Sequence, residues 1–166
     1  MISKVILASN SKIRAEILRK HNFEVEQIPS GVDEEEVKLA LVKNKATCLQ
    51  IAKNLAELKA CKISSKFPSE VVIGADQVLE FNKENIDKPK NKNEAKKILA
   101  KLNNNEHTLQ SAVCVARNGS MISHFDDTAK LKMKALSEKE IDDYLDNIGE
   151  NVLRSYGVYQ IEAQGR

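Results

Sequence analysis

The dipeptide Asn118-Gly119, set between two long runs of alternating character, constrains this chain more than any other feature. Asn and Gly accept the left-handed backbone of a two-residue hairpin turn. The flanking stretches, about His107 to Ala116 and Met121 to Met133, are therefore expected to pair antiparallel. The N-terminal part reads differently. Val5-Ile6-Leu7-Ala8 is a continuous apolar run, as expected of a strand buried on both faces. Ser11 is placed to cap a short helix whose apolar stripe is Ile13, Ile17 and Leu18. Phe23 to Ile28 then alternates as a strand until Pro29-Ser30-Gly31 breaks it. A β-α-β opening followed by a hairpin predicts an α/β domain with a mixed central sheet, because the hairpin excludes a purely parallel doubly wound one.

The remaining pattern fills in this frame. Val37 to about Ile63 contains neither Gly nor Pro and reads as one long helix, with Val37, Leu41, Cys48, Ala52 and Leu55 on one face. After a loop containing Pro68, a strand starts at Val71-Val72-Ile73 and runs through Gly74-Ala75-Asp76-Gln77 to Phe81. Asn91 with Glu94, and Ser137 with Glu140, have the spacing of capping boxes. Their helices carry the stripes Ala95, Ile98, Leu99, Leu102 and Ile141, Tyr144, Leu145, Ile148. A last strand is expected at Val158 to Ile161. With no repeat and no low-complexity linker, the 166 residues are expected to form a single domain of at most two packed lobes.

Composition narrows the classes of function. Lys and Arg number 26 against 24 Asp and Glu, and the 21 lysines are dispersed, with seven aromatics in all. That excludes a nucleic-acid module working through a basic field and stacked bases. Anion binding must come from a few placed cations, and the five arginines are the first to consider, since Arg grips phosphate in a fixed fork. Cys48, Cys61 and Cys114 form no CxxC pair, and His21, His107 and His124 have no HExxH spacing. The N-terminal apolar run is too short for a signal core or a membrane span. A reducing cytoplasm without membrane attachment is the expectation.

Three places could carry chemistry. In Leu7-Ala8-Ser9-Asn10-Ser11-Lys12-Ile13-Arg14 a buried strand gives way within three residues to a helix start rich in hydroxyls and cations. Free N–H groups and the positive end of the helix dipole suit an anion there, with Ser9 and Arg14 as partners. From this segment alone, capping by Ser11 beside a solvated Arg14 is the stronger reading. Asp76 ends a hydrophobic strand, where ligands gather in open α/β sheets, and burial would tune it toward base or metal-ligand work. On local grounds, a strand-end Asp bonded to loop amides accounts for it equally well. Asp33-Glu34-Glu35-Glu36 is an acidic helix start that could supply one magnesium-facing carboxylate. Lys59 and Lys88 are not distinguished locally among the lysines.

Taken together and in order, these segments resemble the Maf family of nucleoside-triphosphate pyrophosphatases. The family opening LAS-x-SPRR is similar to Leu7-Ala8-Ser9-Asn10-Ser11-Lys12-Ile13-Arg14, and the acidic segment to Gly31-Val32-Asp33-Glu34. LA-x-x-KA appears as Leu55-Ala56-Glu57-Leu58-Lys59-Ala60 and VIGAD as Val72-Ile73-Gly74-Ala75-Asp76. KP is Lys88-Pro89, and AGAY-x-IQG resembles Tyr156-Gly157-Val158-Tyr159-Gln160-Ile161-Glu162. The resemblance implies an elongated fold like that of inosine-triphosphate pyrophosphatases, with two lobes around a cleft. It implies hydrolysis of a nucleoside triphosphate to the monophosphate and pyrophosphate, with Mg²⁺ or Mn²⁺, by proteins that are often homodimers. Carried over residue by residue, it gives Asp76 the catalytic acid/base role. It gives Ser9, Arg14, Glu34, Lys59, Gln77, Lys88 and Glu162 contact with the substrate, and Glu34 and Asp76 the metal.

Departures from the family pattern shape two further expectations. Ile13 replaces the first of two arginines, Lys12 replaces the proline, and Ser155 stands where many members have lysine. A nucleotide-binding regulatory protein with impaired turnover is therefore the alternative function. Gln77 and Glu162 are similar to the choices of the branch that prefers 7-methyl-GTP, where a carboxylate can accept from the N–H donors of a cationic methylated guanine. Family members usually continue past the I-E/Q-G region, so the chain is expected to be a Maf-like domain lacking that C-terminal end.

Overall fold

A computed structural model describes residues 4–153 and 155–159. Strand β1 (Lys4–Leu7) leads into helix α1 (Lys12–Lys20) and strand β2 (Glu24–Gln27). Helices α2 (Glu34–Lys43) and α3 (Cys48–Ser64) follow, then strands β3 (Val72–Phe81) and β4 (Glu84–Ile86). Helix α4 (Lys92–Leu102) precedes the hairpin β5 (Glu106–Arg117) and β6 (Ser120–Lys132). Helices α5 (Glu138–Asn147) and α6 (Glu150–Leu153) and a 3-10 turn at Tyr156–Val158 close the described chain.

The sheet is mixed, as the hairpin requires. Its order is β2-β1-β3-β5-β6, with β4 paired to β3. β1 runs parallel to both β2 and β3, whereas β3 and β4 are antiparallel. Asn118 and Gly119 both have positive φ, at 50° and 77°, as a two-residue hairpin turn demands. The same conformation at Asn82 and Lys83 makes the turn between β3 and β4, a hairpin that the sequence pattern does not announce.

The chain divides into two compact units. The first comprises the chain up to Gln77 together with Ser111–Asp127; the second comprises Val78–Gln110 and the described residues from Thr128 on. In the first, Val5, Ile6, Leu7 and Ala8 are fully buried, and Ile51, Ala52, Leu55, Ala56, Ala60 and Ile63 form the inner face of α3. In the second, Leu79, Phe81, Ile86, Leu102 and Leu109 make one apolar cluster. Ala95, Leu99, Ile141, Leu145 and Val158 make another between α4, α5 and the final turn.

Several expectations need correction. The long helix is two helices: Lys45 turns left-handed at φ 58°, and Thr47 opens α3 with a complete capping box to Gln50. Helix propensity favours the whole stretch, but that cap supplies a competing start that the absence of Gly and Pro conceals. Ile13 and Ile17 do not face the core. They are 36% and 50% exposed, and α1 buries only Ala15. Glu94 completes no box with Asn91; it accepts from the N–H of Lys90 at 2.8 Å, while Asn91 caps Glu94 at 2.9 Å. Val158 lies in the 3-10 turn, not in a strand, and the rest of that expected strand beyond Tyr159 is outside the described residues. The Ser137–Glu140 box forms as expected.

Candidate active site

One glycine sets the geometry of the first unit. A Cβ on Gly74 would lie 2.2 Å from the Ala56 carbonyl oxygen and 2.7 Å from the Ala60 nitrogen. Only glycine lets α3 lie directly on β3 here. Asp76 is two residues further along the strand and so on the same face. Lys59, adjacent to Ala60 on the helix, therefore reaches it: Lys59 Nζ donates to Asp76 Oδ1 at 2.7 Å. The same ammonium lies 2.8 Å from Glu34 Oε1, at the first residue of α2. Asp33 caps that helix by accepting from the Glu36 N–H at 3.0 Å, which fixes where Glu34 begins.

Asp76 and Lys59 are each only about 5% exposed. Burial holds the Asp76 carboxyl above the usual carboxylate range. Lys59 opposes the rise by charge and hydrogen bond, Glu34 adds to it, and Arg14 weakly counters it. The second oxygen, Oδ2, is buried with no hydrogen-bond partner among the described residues. A buried acceptor left open in this way calls for a ligand or an ordered solvent molecule.

The turn between β1 and α1 lies in the same unit. Ser11 caps α1 by accepting from the Arg14 N–H, and Ser9 Oγ accepts from the Ser11 N–H at 3.1 Å. The Arg14 guanidinium donates through Nη1 to the carbonyl of Ala75 at 2.6 Å, the residue before Asp76. Arg14 is therefore not a solvated bystander. It ties the helix start to the strand end, and its other guanidinium N–H groups have no partner among the described residues. Gln77 Nε2 donates to Ser111 Oγ at 3.0 Å.

Of the residues singled out in the sequence, the structure places Ser9, Arg14, Glu34, Lys59, Asp76 and Gln77 in the first unit. Lys88 belongs to the second, where its Nζ stands 4.9 Å from the centre of the Tyr156 ring. Glu162 lies outside the described residues. Sequence reasoning missed the roles of Gln27, Gly74 and Tyr156. Gly74 carried a readable signal, a glycine inside a β-branched strand, which marks a close backbone approach.

A divalent metal fits this donor set in a limited way. Asp76 Oδ2 and the half-exposed Glu34 carboxylate offer hard oxygen ligands suited to Mg²⁺ or Mn²⁺. No group of three or more His, Cys, Asp or Glu side chains could hold an ion among the described residues. The remaining ligands would have to be substrate oxygens and water, as is usual for magnesium.

A buried carboxylate with one oxygen on an ammonium and the other open, in one unit with an arginine-bearing helix start, is an arrangement that can serve hydrolysis or group transfer on an anionic substrate. Comparison with known proteins narrows the class. The family described as Maf-like protein matches residues 4–166, and the chain belongs to that family. A protein from Pelagibacter ubique named nucleoside triphosphate pyrophosphatase is 46% identical over 166 residues, covering 100% of this chain and 85% of its own length. One from Caulobacter vibrioides with the same name is 40% identical, covering 99% of this chain and 82% of its own. A Brucella suis protein named 7-methyl-GTP pyrophosphatase is 36% identical, covering 99% and 83%. A solved structure of the Staphylococcus aureus Ham1 protein is similar at a TM-score of 0.45 and 16% identity, covering 78% of this chain and 71% of that one.

Proposed function

We propose that the protein is a hydrolase that cleaves a nucleoside triphosphate to the monophosphate and pyrophosphate. The observation that carries the reading is Asp76, buried on Lys59 with Oδ2 open, in a chain of the Maf family. Ser9, Arg14 and the amides at the start of α1 hold phosphate oxygens of the substrate, and the family pattern adds Lys88 as a further cation. Asp76 Oδ2 accepts a hydrogen bond from a water molecule and takes its proton as the water oxygen bonds to the α-phosphorus. The bond from that phosphorus to the bridging oxygen breaks, and pyrophosphate leaves. Lys59 opposes the rise that burial imposes on the Asp76 carboxyl and so favours the ionised form that acts as the base.

A divalent cation, Mg²⁺ or Mn²⁺, belongs to this proposal, held by Glu34 and Asp76. When bound it supplies charge neutralisation of the phosphates. A modified purine such as 7-methyl-GTP is the substrate to try first. Gln77 and Glu162 are similar to the choices of that branch, and the Brucella suis relative carries its name. No helix among the described residues is long and apolar enough to cross a membrane. A cytoplasmic location and a homodimer remain parts of the proposal.

The test is pyrophosphate release by the purified protein across canonical and modified nucleoside triphosphates, with Mg²⁺ or Mn²⁺. Release from at least one nucleotide, abolished by Asp76→Asn, is the expected result. Binding without release would move the protein to the regulatory alternative. Faster turnover of dTTP or UTP than of 7-methyl-GTP would reject the purine assignment.

A further inference from the structure

The turn at Ser9 to Ser11 is held by a residue that no sequence motif marks. Gln27 is the last residue of β2 and the register partner of Leu7 on the parallel strand β1. Its side chain thus emerges beside the point where β1 ends. Gln27 Nε2 donates to the Ser9 carbonyl at 3.1 Å and to the Ser11 carbonyl at 3.2 Å. One amide nitrogen carries two N–H groups, so both bonds form at once. The Ser11 carbonyl also accepts the first bond of α1, from the Ala15 N–H at 3.2 Å. Gln27 therefore grips the turn at its first residue and at the helix start together.

Peptide planarity turns this grip into a direction. In a trans peptide the carbonyl and the following N–H point to opposite sides. With the Ser9 and Ser11 carbonyls drawn onto Gln27, the N–H groups of Asn10 and Lys12 point away from it. Neither carbonyl is left facing an incoming anion. Resting on the reading that this turn receives the substrate's phosphates, we propose that Gln27 is a positioning residue. It aims the Asn10 and Lys12 amides at a phosphate oxygen and keeps the two carbonyls turned away.

The test uses pyrophosphate with Mg²⁺ as the probe and calorimetry as the readout, on the native protein, Gln27→Met and Gln27→Glu. Methionine keeps the volume and removes both donors; glutamate keeps the shape and sets an acceptor against two carbonyls. Pyrophosphate affinity should fall about tenfold in Gln27→Met, the factor that about 1.4 kcal/mol of lost hydrogen bonding gives, and further in Gln27→Glu. KM for the nucleotide should rise by the same factor, with kcat changed less than about twofold, because Gln27 touches neither Asp76 nor the attacking water. A purely structural role would lower Tm and leave pyrophosphate affinity and KM native well below the melt. That result, in either variant that folds, overturns the proposal, as does failure of the native protein to bind pyrophosphate. If the native protein binds pyrophosphate but hydrolyses no nucleotide, the pyrophosphatase reading falls while the binding series still decides the role of Gln27.

Discussion

Replacing Asp76 by asparagine should separate stability from turnover, and the two should respond to pH differently. The folded Asp76 carboxyl sits above the ordinary carboxylate range, chiefly because it is buried. Between its unfolded value, about 3.9, and its raised folded value, the native state holds this proton more tightly than the unfolded state does. Native stability from this group is therefore greatest at the acidic end and declines as pH rises through the folded pKa. Each unit of elevation corresponds to about 1.4 kcal/mol. For a chain of this size, 1 kcal/mol moves Tm by about 2–4 °C. The asparagine of the variant has no proton to lose, and its carbonyl can still accept from Lys59, which keeps Glu34 at 2.8 Å as its counter-ion. Its buried amide N–H groups carry a pH-independent penalty of about 1–3 kcal/mol if they find no acceptor, so the absolute sign at any one pH is not the discriminating quantity. The discriminating quantity is the slope. Thermal melts of both proteins at half-unit steps across about pH 4.5 to 8.5, a range above the unfolded carboxylate value, should show the Tm of the variant minus that of the native protein rising with pH and levelling only above the folded pKa. Over the same range the variant should release no pyrophosphate. A Tm difference that is flat with pH, or falls as pH rises, would refute the account of Asp76 as a carboxylate held ionised at the expense of the fold.

Two further substitutions probe what surrounds that carboxylate. Gly74→Ala places a methyl group 2.2 Å from the Ala56 carbonyl oxygen, a contact that α3 can relieve only by moving off β3. Overpacking of this kind costs about 1–3 kcal/mol, so Tm should drop by several degrees and kcat should fall as Lys59 is carried away from Asp76; a native melt and native turnover would show that the helix does not rest on this position. Tyr156 presents its ring to Lys88 at 4.9 Å, a contact worth about 0.5–1 kcal/mol at such a site. Tyr156→Phe should keep the native KM, whereas Tyr156→Ala should raise it about two- to fivefold, the factor that this contact energy gives. Equal values for the two variants would remove the ring from the positioning of Lys88.

How much of this was legible beforehand depended on whether a residue's role is local. Asn118-Gly119, Ser137 with Glu140, and the β-branched run into Gly74 act through their immediate neighbours, and the structure returns each where the pattern puts it. Ile13 and Ile17 fail for the complementary reason. Helical spacing gives a stripe but not the side on which the sheet lies, and α1 packs through the small Ala15 instead. Arg14 and Lys59 look alike to composition and to any list of cations. What the two share is a bond to the end of β3, across 61 positions to Ala75 in one case and 17 to Asp76 in the other. Motif order, through the family resemblance, singles out both. It does so because a family pattern records long-range contacts that periodicity cannot express. Gln27 escaped both kinds of reading: its function depends on strand register, Leu7 beside Gln27, and a single glutamine at a strand end carries no pattern.

The same local charges explain why a divalent cation belongs to the proposed chemistry. Glu34 and ionised Asp76 contribute two negative charges, and Lys59 and Arg14 two positive ones, so these four groups sum to zero. Lys59 is already engaged by two carboxylates at 2.7 and 2.8 Å, and Arg14 has spent one donor on the Ala75 carbonyl. A triphosphate bringing about four negative charges would gain little net attraction from them, and Ile13 in place of a second arginine removes one more source. Protonating Asp76 would leave a net positive charge but would remove the base. Retaining the base and attracting the substrate together therefore require added positive charge from outside this set. In the proposed function a divalent cation held by Glu34 and Asp76 supplies two units. Raising Mg²⁺ should accordingly lower KM more steeply in this protein than in a variant whose added positive charge is covalent, Ile13→Arg. Equal magnesium dependence of the two proteins would mean that charge balance at the α1 turn does not set the metal requirement.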